Sequence, residues 1–443
     1  MGGAKEQGPD PYAGPAGGRD EVLDLVRFSC LALVVMGHTM MVSPVLHADG
    51  TVTSENTLGN QDWFEPVIWV FMVMPLFFVA GGATGLQSWQ RLRCQGGTAA
   101  DFLHARLLRL VRPAAVLLAA MFLGFWMAGR LGVHPQVVQL MAAGAAMPLW
   151  FLAAYLAAQL AIPVLAAFHA RGPWLAIGSL TALVVAVDCL RATLPLLAYA
   201  NLVLLWCAVQ QLGFLAADGR FARISRSRLL ALVLTAHLLL GLLTALGLYP
   251  VNMLVNLNPP NLTLFLLGVS QVALLELARP ALASLCSLGW VRTVLRVAGG
   301  RSLTVYLWHL PLLAGMSGLL LLTPVPMPAS GSAEWWWSRP LVLLALVVLL
   351  VPAVAAFGRL EERPTAPPRF RRRPAFEVAG AAVFVFIPAA AAAVNGLTLG
   401  LLGAAAACFL AALAFLRGVR LPFRRGRPSG QEMTAGEEAL PAE

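Results

Sequence analysis

The segment Glu21 to Val42, EVLDLVRFSCLALVVMGHTMMV, carries two ionisable side chains, Arg27 and His38, inside an apolar run. About 20 apolar residues suffice to cross a bilayer, so the segment is long enough to be a transmembrane helix. The two side chains stand eleven positions apart. At ~100° and ~1.5 Å per residue, that spacing is about 20° from three whole turns with a rise of ~16 Å, so both lie on one face. With Arg27 at the membrane border, His38 is expected about halfway through a hydrocarbon core of ~30 Å. An imidazole at that depth is costly unless it faces protein or a water-filled cavity, which makes His38 a candidate functional group. The competing role is a packing histidine bonded to a neighbouring carbonyl.

The remaining chain has the composition of a membrane protein. Of 443 residues, 59% are hydrophobic and 12% charged, and the mean hydropathy is +0.76. Soluble domains carry about 25% charged residues, so an ordinary soluble enzyme is excluded. The expected fold is an all-α polytopic transmembrane helical bundle. The net charge of +10 does not indicate nucleic acid, because the arginines flank apolar spans in small groups. Residues 1–20, rich in Gly and Pro and without a signal-like apolar stretch, are expected to be a disordered cytoplasmic tail, and residues 417–443 another. The six cysteines show no CxxC spacing and most fall in apolar segments. Neither disulfides nor a metal site is expected.

Twelve spans are predicted, near residues 21–42, 66–86, 107–129, 146–168, 174–191, 195–216, 229–248, 260–278, 303–322, 340–358, 375–393 and 397–416. Alternating them from a cytoplasmic N-terminus places 28 of the 31 Lys and Arg inside, leaving Arg130, Arg191 and Arg339 outside. That bias is the positive-inside rule, and it puts both termini in the cytoplasm. The segment 43–65, with Asp49, Glu55, Asp62 and Glu65 and no basic residue, falls outside. Several spans contain a proline that is expected to break the helix, namely Pro75, Pro113, Pro148, Pro163 and Pro311. An Arg/Pro-rich linker, residues 359–374, separates a ten-span body (21–358) from two Ala/Gly/Leu-rich spans (375–416) that read as an appendage able to insert as a hairpin.

Four local patterns carry the chemistry. They are Asp24-Leu-Val-Arg27 followed by ten residues and His38; MPLFFVAGGATG at 74–85, whose small residues permit close helix contact; Arg106 and Arg109 in HARLLRLVRP; and GRSLTVYLWH at 300–309. LWFLAAYL at 149–156 supports them. Together they resemble the acyltransferase 3 family, membrane-embedded enzymes that acylate sugars and other acceptors, over roughly residues 20–358.

The resemblance implies a cytoplasmic acyl-CoA donor, acetyl-CoA foremost, and an acceptor hydroxyl on a glycan or lipid-linked glycan. A thioester is already activated, so the protein must chiefly supply a base and charge stabilisation. His38 has a suitable intrinsic acidity for that base, acting either directly or through an acyl-imidazole. Arg27 is a candidate to fix the donor or the imidazole, and Asp24, one turn earlier, a candidate to hold Arg27. Arg106 and Arg109 suit the phosphates of CoA, because guanidinium pairs with phosphate oxygens through two hydrogen bonds; arginines also gather in any cytoplasmic loop. Ser302, Tyr306, His309 and Trp150 are candidates to line the substrate tunnel. The competing function is a carrier of cell-envelope glycans or lipid-linked intermediates, which twelve spans with intramembrane charge also fit.

The topology is checked by single cysteines at Glu55 and at Arg369 in a cysteine-free background. An impermeant maleimide is expected to label them from opposite sides of the membrane, and labelling from one side refutes the twelve-span arrangement.

Overall fold

The structure, a computed structural model, describes residues 20–47, 51–146, 148–321, 323–324, 327–361, 375–395 and 398–417. Among these, eleven helical segments are long and apolar enough to cross a membrane, and Phe376–Ala392 adds a shorter apolar helix. The protein is an all-α, multi-pass membrane bundle. The two expected tails, apart from Asp20 and Arg417, and linker residues 362–374 lie outside the described residues.

The helices run in the order α1 (Glu21–Met41), α2 (Phe64–Phe71), α3 (Met74–Cys94), α4 (Ala99–Arg130), α5 (Pro135–Ala146), α6 (Pro148–Arg171), α7 (Pro173–Leu190) and α8 (Asn201–Ala217). They continue with α9 (Arg226–Ala245), α10 (Leu262–Cys286), α11 (Gly289–Gly299), α12 (Ser302–Leu321), α13 (Ala333–Phe357), α14 (Ala375–Asn395) and α15 (Leu399–Arg417). Polar caps define several starts. Asp20 accepts from the amides of Val22 and Leu23 at 3.0 and 3.1 Å, and Thr98 with Asp101 forms a capping box ahead of α4.

The sequence expectations need correction in three places. Pro113, Pro163 and Pro311 do not break their helices, because α4, α6 and α12 run through them, while Pro75 and Pro148 sit at helix starts where a missing amide costs little. The polar excursion after α1 contains an antiparallel hairpin of β1 (Val42–Leu46) and β2 (Val52–Asn56), with Val42 opposite Asn56 and Leu46 opposite Val52. Trp335, buried at the start of α13, donates its indole N–H to Ser43 Oγ at 2.9 Å and ties the hairpin to the bundle. The short helices α5 and α11 were also not anticipated.

The glycines of α3 serve two contacts. A Cβ on Gly82 would stand 2.5 Å from the Gln210 carbonyl oxygen, and one on Gly213 of α8 would stand 2.1 Å from that of Val79, so α3 and α8 meet backbone to backbone. Gly81 and Gly85 turn to α6 instead, towards Tyr155, Gln159 and Ile162.

The last two helices are packed on the body, which corrects their reading as an appendage. Val378, Ala381, Val385, Leu402, Ala405, Phe409 and Ala412 share one buried core with Leu107, Val111, Leu117 and Leu118 of α4. His104 of α4 donates from Nε2 to the Leu416 carbonyl at 2.9 Å. Truncation after Pro374 removes an even number of spans, so the body is expected to insert correctly and retain turnover. Loss of the packing around α4 is expected to lower the unfolding temperature in detergent. An unchanged unfolding temperature would return α14 and α15 to the status of an independent hairpin.

Candidate active site

A cavity lies between α1, α3, α4, α6 and α12, beside the first turn of α12. Arg27 reaches it from α1, Arg106 and Arg109 from α4, and Ser302 and Tyr306 from α12; Phe77, Phe151, Tyr155 and Gln159 complete most of its wall. No acidic residue is among those lining it. Arg27 lies 5.7 Å from the Phe77 ring centroid and Arg106 lies 5.0 Å from that of Phe102, both in cation–π range. The four sequence motifs, from four separate helices, therefore converge on one cationic chamber. Asp24, in the first turn of α1, is not among the lining residues. Trp150 is not either; the next residue, Phe151, takes that place, stacking on Tyr155 and meeting Tyr306 at a tilt.

Beyond Tyr306, one turn further along α12, stand two histidines. His38 Nδ1 and His309 Nε2 are 2.9 Å apart, and His309 Nδ1 is 2.6 Å from the carbonyl oxygen of Tyr306. A carbonyl only accepts, so His309 Nδ1 carries the proton. In the neutral pair, His309 Nε2 is then the acceptor and His38 Nδ1 the donor. His38 Nε2 keeps its lone pair. Exposure separates the two rings further, because His309 is fully buried (0%) whereas His38 is only partly so. His38 is the more exposed member of the pair, and His309 is the buried one that accepts from it.

The side chains of Arg27 and His38 are far apart along α1. Arg27 sits about 9 Å inside the start of α1, and His38 lies within a turn of its other end, at Met41. The ~16 Å rise between them leaves Arg27 in the cavity and out of contact with the imidazole. The imidazole's hydrogen-bond partner is His309.

One residue of this assembly escaped the sequence reading. Glu361, 4% exposed, accepts from the Leu303 amide at 3.2 Å and from both the amide and the hydroxyl of Thr304, with Arg109 in electrostatic reach. It caps α12 from a distant part of the chain, where the helix start favours negative charge. The only signal in the sequence is a carboxylate pair, LEE at 360–362, at the head of an otherwise basic linker.

Against the known proteins, a family model described as an acyltransferase domain, that of acyltransferase 3, matches residues 20–359. The chain belongs to the acyltransferase 3 family. No curated protein and no solved structure matched. The match takes in the acyltransferase cavity, both histidines and α1 through α13, and it leaves α14 and α15 outside.

Glu361→Ala removes a charged acceptor from three donors and is expected to destabilise the acyltransferase by on the order of 3 kcal/mol, with Glu361→Gln retaining part of it. Thermal unfolding in detergent checks this, and equal unfolding temperatures for all three proteins contradict it.

Proposed function

We propose that this acyltransferase moves an acetyl or other short acyl group from cytoplasmic acyl-CoA to a hydroxyl of a glycan or lipid-linked glycan, with His38 as general base. The observation that carries the reading is the convergence of Arg27, Arg106 and Arg109 on a cavity whose far wall, Tyr306, lies one turn from the histidine pair. Three guanidinium groups and no lining carboxylate suit the phosphates of CoA. The thiol-bearing arm then extends along α12 towards His38, over the same ~16 Å that separates it from Arg27.

In the reaction, His38 Nε2 takes the proton of the acceptor hydroxyl as its oxygen attacks the thioester carbonyl. The tetrahedral oxyanion collapses, the C–S bond breaks, and the departing thiolate recovers the proton from His38. His309 accepts from His38 Nδ1–H throughout, so the base stays in one tautomer and one orientation. The arginine-rich face on which α12 starts is cytoplasmic in this reading, with both chain termini on that side of the plasma membrane. His38, near the opposite end of α1, is the group that an acceptor on the far side meets.

His38→Ala is expected to reduce acyl transfer by roughly 10² to 10⁴ in rate while leaving insertion intact. His309→Gln, whose side-chain oxygen can accept from His38 Nδ1–H, is expected to retain more activity than His309→Ala. Arg106→Ala with Arg109→Ala is expected to weaken acyl-CoA binding and flatten its salt dependence. The assay is turnover of acetyl-CoA by purified protein with cell-envelope acceptors. Wild-type turnover in His38→Ala overturns the base assignment, and unchanged donor affinity in the double variant overturns the phosphate site.

A further inference from the structure

Gln159 presents an unusual physical state. Its side chain, 1% exposed at the middle of α6, lines the arginine cavity, yet neither Nε2 nor Oε1 has a hydrogen-bond partner among the described residues. Buried polar atoms are almost always paired, because leaving a donor or acceptor unmet costs free energy with nothing returned. The neighbouring buried glutamines have partners for their Nε2 groups, although Gln210 Oε1 too lacks one among the described residues. Gln210 donates to the Ala158 carbonyl at 3.0 Å, and Gln211 donates to that of Leu165 at 3.3 Å. Two glycines of α3 stand beside the Gln159 carboxamide at ordinary contact distance, so no bulky side chain crowds it from that helix. A Cβ on Gly81 would stand 3.7 Å from its Nε2, and one on Gly85 would stand 3.8 Å from its Oε1. Space, burial and orphaned atoms together mark a group held ready for a ligand.

We propose that Gln159 binds an amide of the donor's thiol-bearing arm, Nε2–H donating to an amide carbonyl or Oε1 accepting from an amide N–H. The inference rests on the acyl-CoA reading above and names the part of that donor that Gln159 recognises. A carboxamide carries no charge, so it does not compete with the three arginines for phosphate. It supplies both hydrogen-bonding halves that a chain of secondary amides requires. Gln159 therefore acts as a depth stop, halting the arm where the thioester reaches His38. A thioester arm without amides leaves these atoms unmet in a dry site, which is the situation that gives strong discrimination.

The test compares acetyl-CoA with an analogue in which each amide of the arm, carbonyl and N–H together, is replaced by CH₂–CH₂, each assayed on the wild type and on Gln159→Leu. The wild type is expected to favour acetyl-CoA by roughly 10- to 100-fold in kcat/KM, and the leucine variant to lose that preference by weakening acetyl-CoA alone. Removing an unpaired buried polar group is also expected to leave the folded protein as stable as before, or more so. Equal use of both donors by the wild type overturns the proposal, as does a preference that survives in Gln159→Leu. The first result needs no variant. Turnover of acetyl-CoA that depends on Arg106 and Arg109 but ignores the amides defeats the Gln159 assignment alone, whereas failure of the wild type to bind acetyl-CoA defeats the donor reading with it.

Discussion

The hydrogen bond between His38 and His309 is the constraint around which this bundle is arranged. It joins residues 271 positions apart in the chain, and at 2.9 Å it tolerates little relative sliding of α1 and α12. Each helix is accordingly held near its ends. Asp20 caps α1 and also pairs with Arg279 of α10 at 3.2 Å, while at the other end Arg339 donates to the Thr39 carbonyl at 3.2 Å and lies 4.1 Å from the Trp335 ring centroid. Glu361 fixes the start of α12. These contacts lie in segments far apart in sequence, and a change in any one of them acts on the same imidazole pair.

Between the cations and the base lies a layer with little polarity. Phe77, Phe151, Tyr155 and Tyr306 contact one another with ring centroids 4.7 to 5.6 Å apart. Tyr306 serves both sides, since its ring faces the cavity and its carbonyl sets the tautomer of His309.

How much of this could be read from the sequence follows from the range of the interactions. Spans and fold class were legible because hydropathy is local, and Arg27, His38, Arg106 and Arg109 stood out because ionisable groups are rare in such segments. The small residues of MPLFFVAGGATG announced a close contact, although not that Gly81 and Gly82 would serve different neighbours. The partnership of His38 with His309, the capping of α12 by Glu361 and the orphaned state of Gln159 are facts of tertiary contact, with no periodicity to betray them. The packing of α14 and α15 on α4 was hidden for the opposite reason. Uniformly apolar helices look alike whether they face lipid or protein, and only shape decides between the two.

In the proposed reading, the ~16 Å that separates Arg27 from the base His38 also has an electrostatic reason. A general base becomes a cation in the transition state, so any guanidinium beside it opposes the step it must perform. Two like charges at 4 Å repel by about 4 kcal/mol with an effective dielectric constant near 20, whereas at the ~16 Å between Arg27 and His38 the figure is about 1 kcal/mol. The neutral partner that His38 has instead, His309, stabilises the developing charge through an accepting nitrogen and brings none of its own. A donor with its phosphates at one end and its reactive carbon at the other is the kind of ligand that lets one protein satisfy both demands. In the proposed reading the phosphates would take up the field of the three arginines when the donor binds, so the repulsion felt at His38 would fall further as the proton is taken.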